Sequence, residues 1–389
     1  MSARPRVLMV IAFLHHMGGA QRQALLLAQA LRREGLDVGF LTSTVPGEPI
    51  GDTVEGIPVR RVSFPHSLRL GPLKFHILIR GMLRDMLAHE GEYDIIHAHQ
   101  GLWPAYAATV AAERVGKPCI IKIGNTGERF DFSVLERSPL FGRRMSRHCR
   151  LCSDRIVVTS RAAMREAEAY GVARERLLLI PNGVALSRLR SGIAMRRLLG
   201  IRANERLVLF IGALRPHKRP LLALESFAAL PPSAGAETRL WFLGDGPLRS
   251  RLSQRIEQLG LEDRVRLWGE VADVGPFLRA ADVFLLPSVA EGMSNALLEA
   301  MAHALPCIAT RISGAEDLIA DGTNGLLVPT DDTEAMTSAL RRLLADAALR
   351  RELGGSARRT VEDGYSISAI ARRYIELYET LATLRNAEC

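Results

Sequence analysis

Cysteine is scarce in this 389-residue chain. The five cysteines (Cys119, Cys149, Cys152, Cys307 and Cys389) are odd in number and scattered, so they do not form a disulfide framework. The one close pair, Cys149-Arg-Leu-Cys152, has no second CxxC and no His/Cys cluster beside it, which speaks against a zinc site and for a reduced, cytosolic chain. Long hydrophobic runs are also missing. The N-terminal VLMVIAFL, residues 7–14, is eight residues long: enough for a buried strand, short of the roughly 20 residues that span a bilayer, and without a signal-peptide cleavage pattern. Aromatic residues make up only 5% of the chain and no basic-aromatic module appears, so nucleic acid is not an expected partner.

Acidic charge is short in one half only. Residues 1–190 carry 27 Lys+Arg against 17 Asp+Glu, while the remainder is nearly balanced, so the excess of +9 belongs to the N-terminal half. Two stretches concentrate it. Residues 60–84 hold Arg60, Arg61, Arg69, Lys74, Arg80 and Arg84 among Phe64, Leu68, Leu70, Leu73, Phe75, Ile77, Leu78 and Ile79. Residues 137–155 hold Arg137, Arg143, Arg144, Arg147, Arg150 and Arg155. Cations interleaved with apolar side chains suit an anionic membrane surface. Solvated helix faces would give the same pattern.

What the chain has in quantity is alternation of short apolar runs with helical patterns. VLMVIAFL, DVGFLTS (37–43), YDIIHAH (93–99), PCIIKI (118–123), DRIVVTS (154–160) and RLLLIPNG (176–183) read as strands. The theme restarts with RLVLFIG (206–212), TRLWFLGDG (238–246), RVRLWG (264–269), DVFLLPS (282–288), PCIATR (306–311) and NGLLVP (324–329). Strands that alternate with helices predict parallel sheets covered on both faces, here in two α/β units joined near 184–200. The tail, 366–384, reads as one amphipathic helix.

In such sheets ligands bind beyond the carboxyl ends of strands, and the conspicuous motifs sit there. Gly18-Gly19 follows the first strand and opens a helix, which lets a backbone approach an anion closely; a simple tight turn would look the same. His97 and His99 close YDIIHAH at i and i+2, on one strand face. Arg215, Lys218 and Arg219 lie in the loop after RLVLFIG, where cations could stabilise a departing diphosphate. EGMSNALLE, residues 291–299, follows DVFLLPS. A helix starting near Ser294 would leave Glu291 in the loop, put Glu299 inside the helix, and present the N–H groups around Met293 to Ala296 to a phosphate. A carboxylate can accept both hydrogen bonds of a ribose diol. A glutamate pair at this spacing also occurs on solvated helices.

At these residues the chain resembles the retaining GT-B glycosyltransferases of family 4. The resemblance runs through GGAQRQ, DIIHAH, DRIVVTS, IPNGV, GDGPLR, ADVFLLPSVAEGMSNALLEAMA, LPCIAT and DGTNGLLVP, in that order. It implies two Rossmann-like parallel-sheet domains facing across a cleft: an acceptor-binding domain at 1–185, a nucleotide-sugar domain at 186–365, and a helix at 366–389 crossing back to the first. It also implies transfer of a sugar from a nucleotide-diphosphate donor with retention, needing neither metal nor cofactor. In that reading Glu299 holds the ribose and Glu291 the donor sugar. Lys218, with Gly292, Met293, Ser294 and Asn295, holds the diphosphate. Gly18 and Gly19 admit phosphates or acceptor. His99 lies near the donor sugar, and His97 is structural.

The chain departs from the family pattern at Ala213, where an arginine is usual, leaving Arg215 as the substitute phosphate cation; Gln21 stands where an acid is usual. The expected acceptor is a lipid-linked or envelope glycan, reached by a cytoplasmic protein peripheral to the inner face of the membrane. A soluble acceptor, or a non-catalytic nucleotide-sugar binder, are the alternatives.

Overall fold

Runs of β-branched and aliphatic residues with no polar alternation can be satisfied only by strands buried on both faces. The computed structural model, which describes residues 4–14, 18–44, 52–65, 73–188, 192–231 and 237–388, builds two parallel sheets from them. The chain divides into two units: Met1–Gly183 together with Ile367–Cys389, and Val184–Ser366.

The first unit contains β1 (Val7–Val10), β2 (Val38–Ser43), β3 (Thr53–Val54), β4 (Ile57–Val62), β5 (Ile95–His99), β6 (Cys119–Ile123), β7 (Arg155–Val158) and β8 (Leu177–Leu179). Their order is β3-β4-β2-β1-β5-β6-β7-β8. Every pair is parallel except β3–β4, a hairpin that the sequence reading did not anticipate. Its two-residue turn holds Glu55 and Gly56 at φ 51° and 77°, the left-handed geometry whose twist matches flanking strands. Alternate residues partition the core. Leu8, Val10, Ile96, Ala98, Ile121, Ile156 and Val158 pack with residues of the helices Leu73–Ala88 and Trp103–Val115. Val7, Met9, Val38, Phe40, Ile95, Ile120 and Val157 pack with the helices Gly19–Arg33 and Ile367–Glu388.

The last helix is thus part of the first unit's core. It buries Ile367, Ile370, Ala371, Tyr374, Tyr378 and Leu381 at helical spacing. Its entry is fixed by Gly183, where a Cβ would lie 2.8 Å from the Ile367 side chain. Buried Gln23 grips the same glycine on both sides: its Nε2 donates to Gly183 O at 2.9 Å, and Gly183 N donates to its Oε1 at 3.1 Å.

The second unit contains β9 (Arg206–Ile211), β10 (Thr238–Leu243), β11 (Val265–Gly269), β12 (Val283–Leu286), β13 (Cys307–Thr310) and β14 (Leu326–Val328), all parallel, in the order β11-β10-β9-β12-β13-β14. β9 and β12 are central neighbours, the place where strand addition reverses direction.

Gln23→Ala leaves the buried N–H and C=O of Gly183 without their partner. We expect a loss of about 1–3 kcal/mol of stability, read as a lower urea midpoint with unchanged slope; an unchanged midpoint would mean that the grip does not hold the helix entry.

Candidate active site

The loops leaving β9 and β12 meet beyond the carboxyl ends of adjacent strands, where open α/β sheets place their ligands. From β9 the chain runs through Gly212 to a short turn, Pro216–Lys218. From β12 it runs through Ser288 to Glu291. The two loops are stitched by Val289 N donating to His217 O at 2.9 Å and by an ion pair between Lys218 Nζ and Glu291 Oε1, both side chains largely buried. Ser288 Oγ also donates to Glu291 Oε1, at 2.9 Å. Thr310, at the end of β13, steadies this from below: its hydroxyl donates to Ser288 O and to Leu286 O. Gly314 presses so close that a Cβ there would lie 2.5 Å from Gly292 O and 2.9 Å from Glu291 O. Lys218 and Ser288 thus hold the carboxylate directly, while Thr310 and Gly314, at and beyond the end of β13, hold the backbone of its loop.

Beyond it the helix Asn295–Ala302 begins, capped by Ser294, whose Oγ accepts from Leu297 N at 3.4 Å. Gly292, Met293 and Ser294 are buried in the approach to this positive end. Glu299 lies inside the helix, about 6 Å along its axis from Asn295, and is half-exposed. Arg215 is exposed at the start of the short turn; its carbonyl accepts from Lys218 N at 3.0 Å, and its guanidinium makes no ion pair among the described residues. Chemically, an anion at this helix end would offer Lys218 a second partner and leave Glu291 to accept from hydroxyls.

In the first unit Gly18 is the exposed N-cap of the helix Gly19–Arg33, with no side chain capping it and Arg22 N donating to its carbonyl at 3.1 Å. His15, His16 and Met17 before it lie outside the described residues. His99 is the last residue of β5, 2% exposed, and stacked on His97 with ring centroids 4.3 Å apart. His97 Nδ1 meets Tyr378 Oη of the last helix at 2.8 Å, a tether between helix and sheet. Burial, aided by the Lys122 charge, pulls His97 down to about 3, and burial, then His97 and Lys122, holds His99 well below the usual imidazole range. Burial also pushes the Asp131 carboxyl up to about 6, although Gly101 N and Asn125 Nδ2 donate to it at 2.9 and 2.7 Å.

The two basic stretches divide between paired, buried and exposed side chains. Arg60 lies on β4 and is paired with Asp85 and Glu92, and Arg150 is paired with Glu136. Phe64, Leu78 and Ile79 are core. Leu68, Arg69 and Leu70 lie outside the described residues. Arg80, Arg84, Arg143, Arg144 and Arg147 are exposed. With them stand exposed Leu73 and Ile77, and Leu140 and Phe141, held outward at φ 66° and 70°; Phe141 is 67% exposed. The turn is enforced by Gly142, whose Cβ would clash with Leu135 O. Beside it is an open groove of about 490 Å³ lined by Lys74, Phe75, Trp103, Val134, Arg137 and Ser138.

One group of metal-ligand type occurs among the described residues: Glu113, His148 and Cys152. Cys149 is buried apart from it, so the CxxC does not act as a pair. Glu113 sits in the last turn of the helix that follows β5, at the opposite end of the sheet from the strand-end residues above.

The description "Glycosyl transferases group 1" matches residues 205–346, and "Glycosyltransferase Family 4" matches residues 17–188. The D-inositol 3-phosphate glycosyltransferase of Kineococcus radiotolerans is 30% identical, over 95% of this chain and 92% of that protein. The UDP-Gal:alpha-D-GlcNAc-diphosphoundecaprenol alpha-1,3-galactosyltransferase of Escherichia coli is 27% identical, over 93% and 94%. The crystal structure of Anabaena Alr3699/HepE in complex with UDP and glucose matches with a TM-score of 0.80 at 20% identity, over 97% of this chain and all of that one.

The buried imidazoles predict an acid-sensitive fold. His97 stays neutral when folded but takes a proton below about 6.5 when unfolded, so stability is present above that pH and lost as pH falls from about 6.5 towards 3, by about 1.4 kcal/mol per pH unit and imidazole. His97→Gln should flatten this slope in denaturant titrations run from pH 7 to pH 4; an unchanged slope would remove His97 as its source.

Proposed function

The chain belongs to the group 1 glycosyl transferases, a family of GT-B glycosyltransferases, and we propose that it moves a sugar from a nucleotide-diphosphate donor to a phosphate-bearing, lipid-linked or envelope-glycan acceptor, with retained configuration. The observation that carries the donor half is the Lys218–Glu291 pair, which bridges the β9 and β12 loops at the N-terminus of the helix Asn295–Ala302.

In this reading Lys218 and the backbone N–H groups from Gly292 to Asn295 take the diphosphate, where a helix end and a cation both favour negative charge. Glu291, released from Lys218, accepts from the donor sugar. Glu299 accepts from the ribose diol. His99 acts as a neutral imidazole near the donor sugar, and Gly18 and Gly19 let the first helix end approach a phosphate. Negative charge grows on the diphosphate as the glycosidic bond breaks, and preorganised donors that need no reorganisation are the main source of acceleration. In this reading Lys218 supplies the compensating positive charge without a metal, and no cofactor takes part.

The acceptor half rests on chemistry shared by two relatives. One is named for inositol 3-phosphate and the other for a diphosphoundecaprenol-linked sugar. Leu140 and Phe141, projected beside Arg143, Arg144 and Arg147, favour the lipid-linked case at the inner face of a cytoplasmic membrane. The relative named for inositol 3-phosphate favours a second reading, a soluble acceptor of the same class.

Calorimetric titration with UDP-, GDP-, ADP- and dTDP-sugars in EDTA tests the donor half. One donor should bind, and Glu299→Ala should weaken it by about tenfold or more, the loss of a charged hydrogen-bond partner. Equal binding by both proteins would sink the ribose assignment, and a strict requirement for added metal would sink the metal-free one.

Vesicles containing anionic lipid should retain the protein at moderate salt. Replacing Leu140 and Phe141 together by serine should cut retention on the order of tenfold or more through lost apolar burial. Wild-type protein that stays in solution would move the proposal to the soluble acceptor.

A further inference from the structure

A strand buried on both faces has no ordinary use for an ammonium group. Lys122 nevertheless lies within β6, in Cys119-Ile-Ile-Lys-Ile, and is only 6% exposed. Among the described residues its side chain makes no ion pair and no hydrogen bond; the Tyr374 ring lies over it, 6.0 Å from Nζ to centroid. Burial alone lowers it to about 8, no carboxylate contributing. Asp131, the buried acid closest in sequence, is committed to Gly101 and Asn125.

The surroundings of Lys122 are equally short of partners. β5 and β6 pair His99 directly with Lys122, and His97 shares that face. His97 stacks on His99 and lies 5.2 Å from the Tyr374 ring. Three polar atoms in this group are buried and unpartnered: His97 Nε2, His99 Nε2 and Tyr374 Oη. Where Tyr378 Oη–H donates to His97 Nδ1, Nε2 carries the imidazole proton and is a donor without an acceptor. Gly124, two residues past Lys122, has nothing within 4 Å of the position a Cβ would take, so the strand exit beside the group is open.

A largely buried lysine without an ion pair, beside two imidazoles and a phenol whose polar atoms have no partner, describes the complement of an anion with several oxygens. We propose that Lys122, His97, His99 and Tyr374 form a phosphate-binding pocket in the first unit that holds the anionic group of the acceptor. The inference rests on the reading of the chain as a transferase with a phosphate-bearing acceptor. An unpaired buried charge destabilises a fold, and this one is retained at a strand end, where function rather than packing sets residue choice.

The probe is inorganic phosphate, titrated into protein carrying labelled histidine, with the His97 and His99 ring signals followed by NMR and assigned through single substitutions. Wild type should show a saturable shift of both rings. Lys122→Arg should keep it. Lys122→Met should weaken it by about tenfold or more, as for loss of a charge-assisted hydrogen bond, while melting no lower than wild type and binding the nucleotide-sugar donor unchanged. A Lys122→Met protein that melts lower would make the lysine a structural element and overturn the proposal. So would donor binding in wild type without any phosphate response at the two rings, which leaves the proposed function standing. The titration is repeated with the nucleoside diphosphate of the donor that binds. If that nucleotide displaces phosphate, the pocket serves the donor and the acceptor assignment fails; if phosphate still binds, the assignment holds.

Discussion

A doubly wound sheet has one place where two neighbouring strands send their chains off in opposite directions, and the second unit is organised around it. β9 and β12 lie side by side although more than seventy residues separate them. Their exits cannot be covered by either crossover helix, so loops from both are left facing one another. Lys218 and Glu291 are the residues that this constraint brings together. Their attraction alone would stabilise little, since desolvation of two charges offsets much of it. What the pair does is hold two loops at one spacing, with Ser288 on the carboxylate and Thr310 and Gly314, from the neighbouring strand end, against the backbone of its loop.

The first unit obeys the same constraint around β1 and β5 but solves it differently. Among the described residues, the ends of β5 and β6 carry no ion pair of their own. They carry neutral imidazoles and a lysine under the last helix, which is tethered to the sheet by Tyr378 at His97 and by Arg373 at the Leu179 carbonyl. Two sheets of one topology therefore present opposite chemistry: a self-neutralised site in the second unit and an unneutralised one in the first.

Much of this was legible in the sequence, for identifiable reasons. Buried parallel strands leave near-continuous apolar runs, so both sheets could be read strand by strand, and the last helix announced itself by spacing. β4 escaped because Pro58, Arg60 and Arg61 break its apolar pattern, and β3 because two residues show no period. The eight-residue run at 7–14 gave only a four-residue strand, although Ile11 still donates to Leu41 O. At the site, Lys218 and Glu291 were visible from their position after strands. Ser288, Thr310 and Gly314 were not, because their roles depend on strand register, which sequence spacing does not reveal. Lys122 passed unremarked inside the run PCIIKI, because the lack of a partner is a fact of three dimensions. The basic stretches were legible only in part: composition counts arginines and cannot distinguish those that meet Asp85, Glu92 or Glu136 from those that face water.

The first unit is discontinuous in the chain, and that has a consequence for synthesis. A ribosome releases all eight strands of its sheet before residue 184, but the helix that covers one face emerges only after the whole second unit. While residues 184–366 are being made, the face carrying Met9, Phe40, Ile95 and Ile120 lacks one of its two covering helices, and His97 lacks Tyr378. The second unit has all its own residues first and can close around them. Completion of the fold thus runs backwards relative to the order of the strands, and the nascent chain carries an exposed apolar sheet face until its final segment arrives.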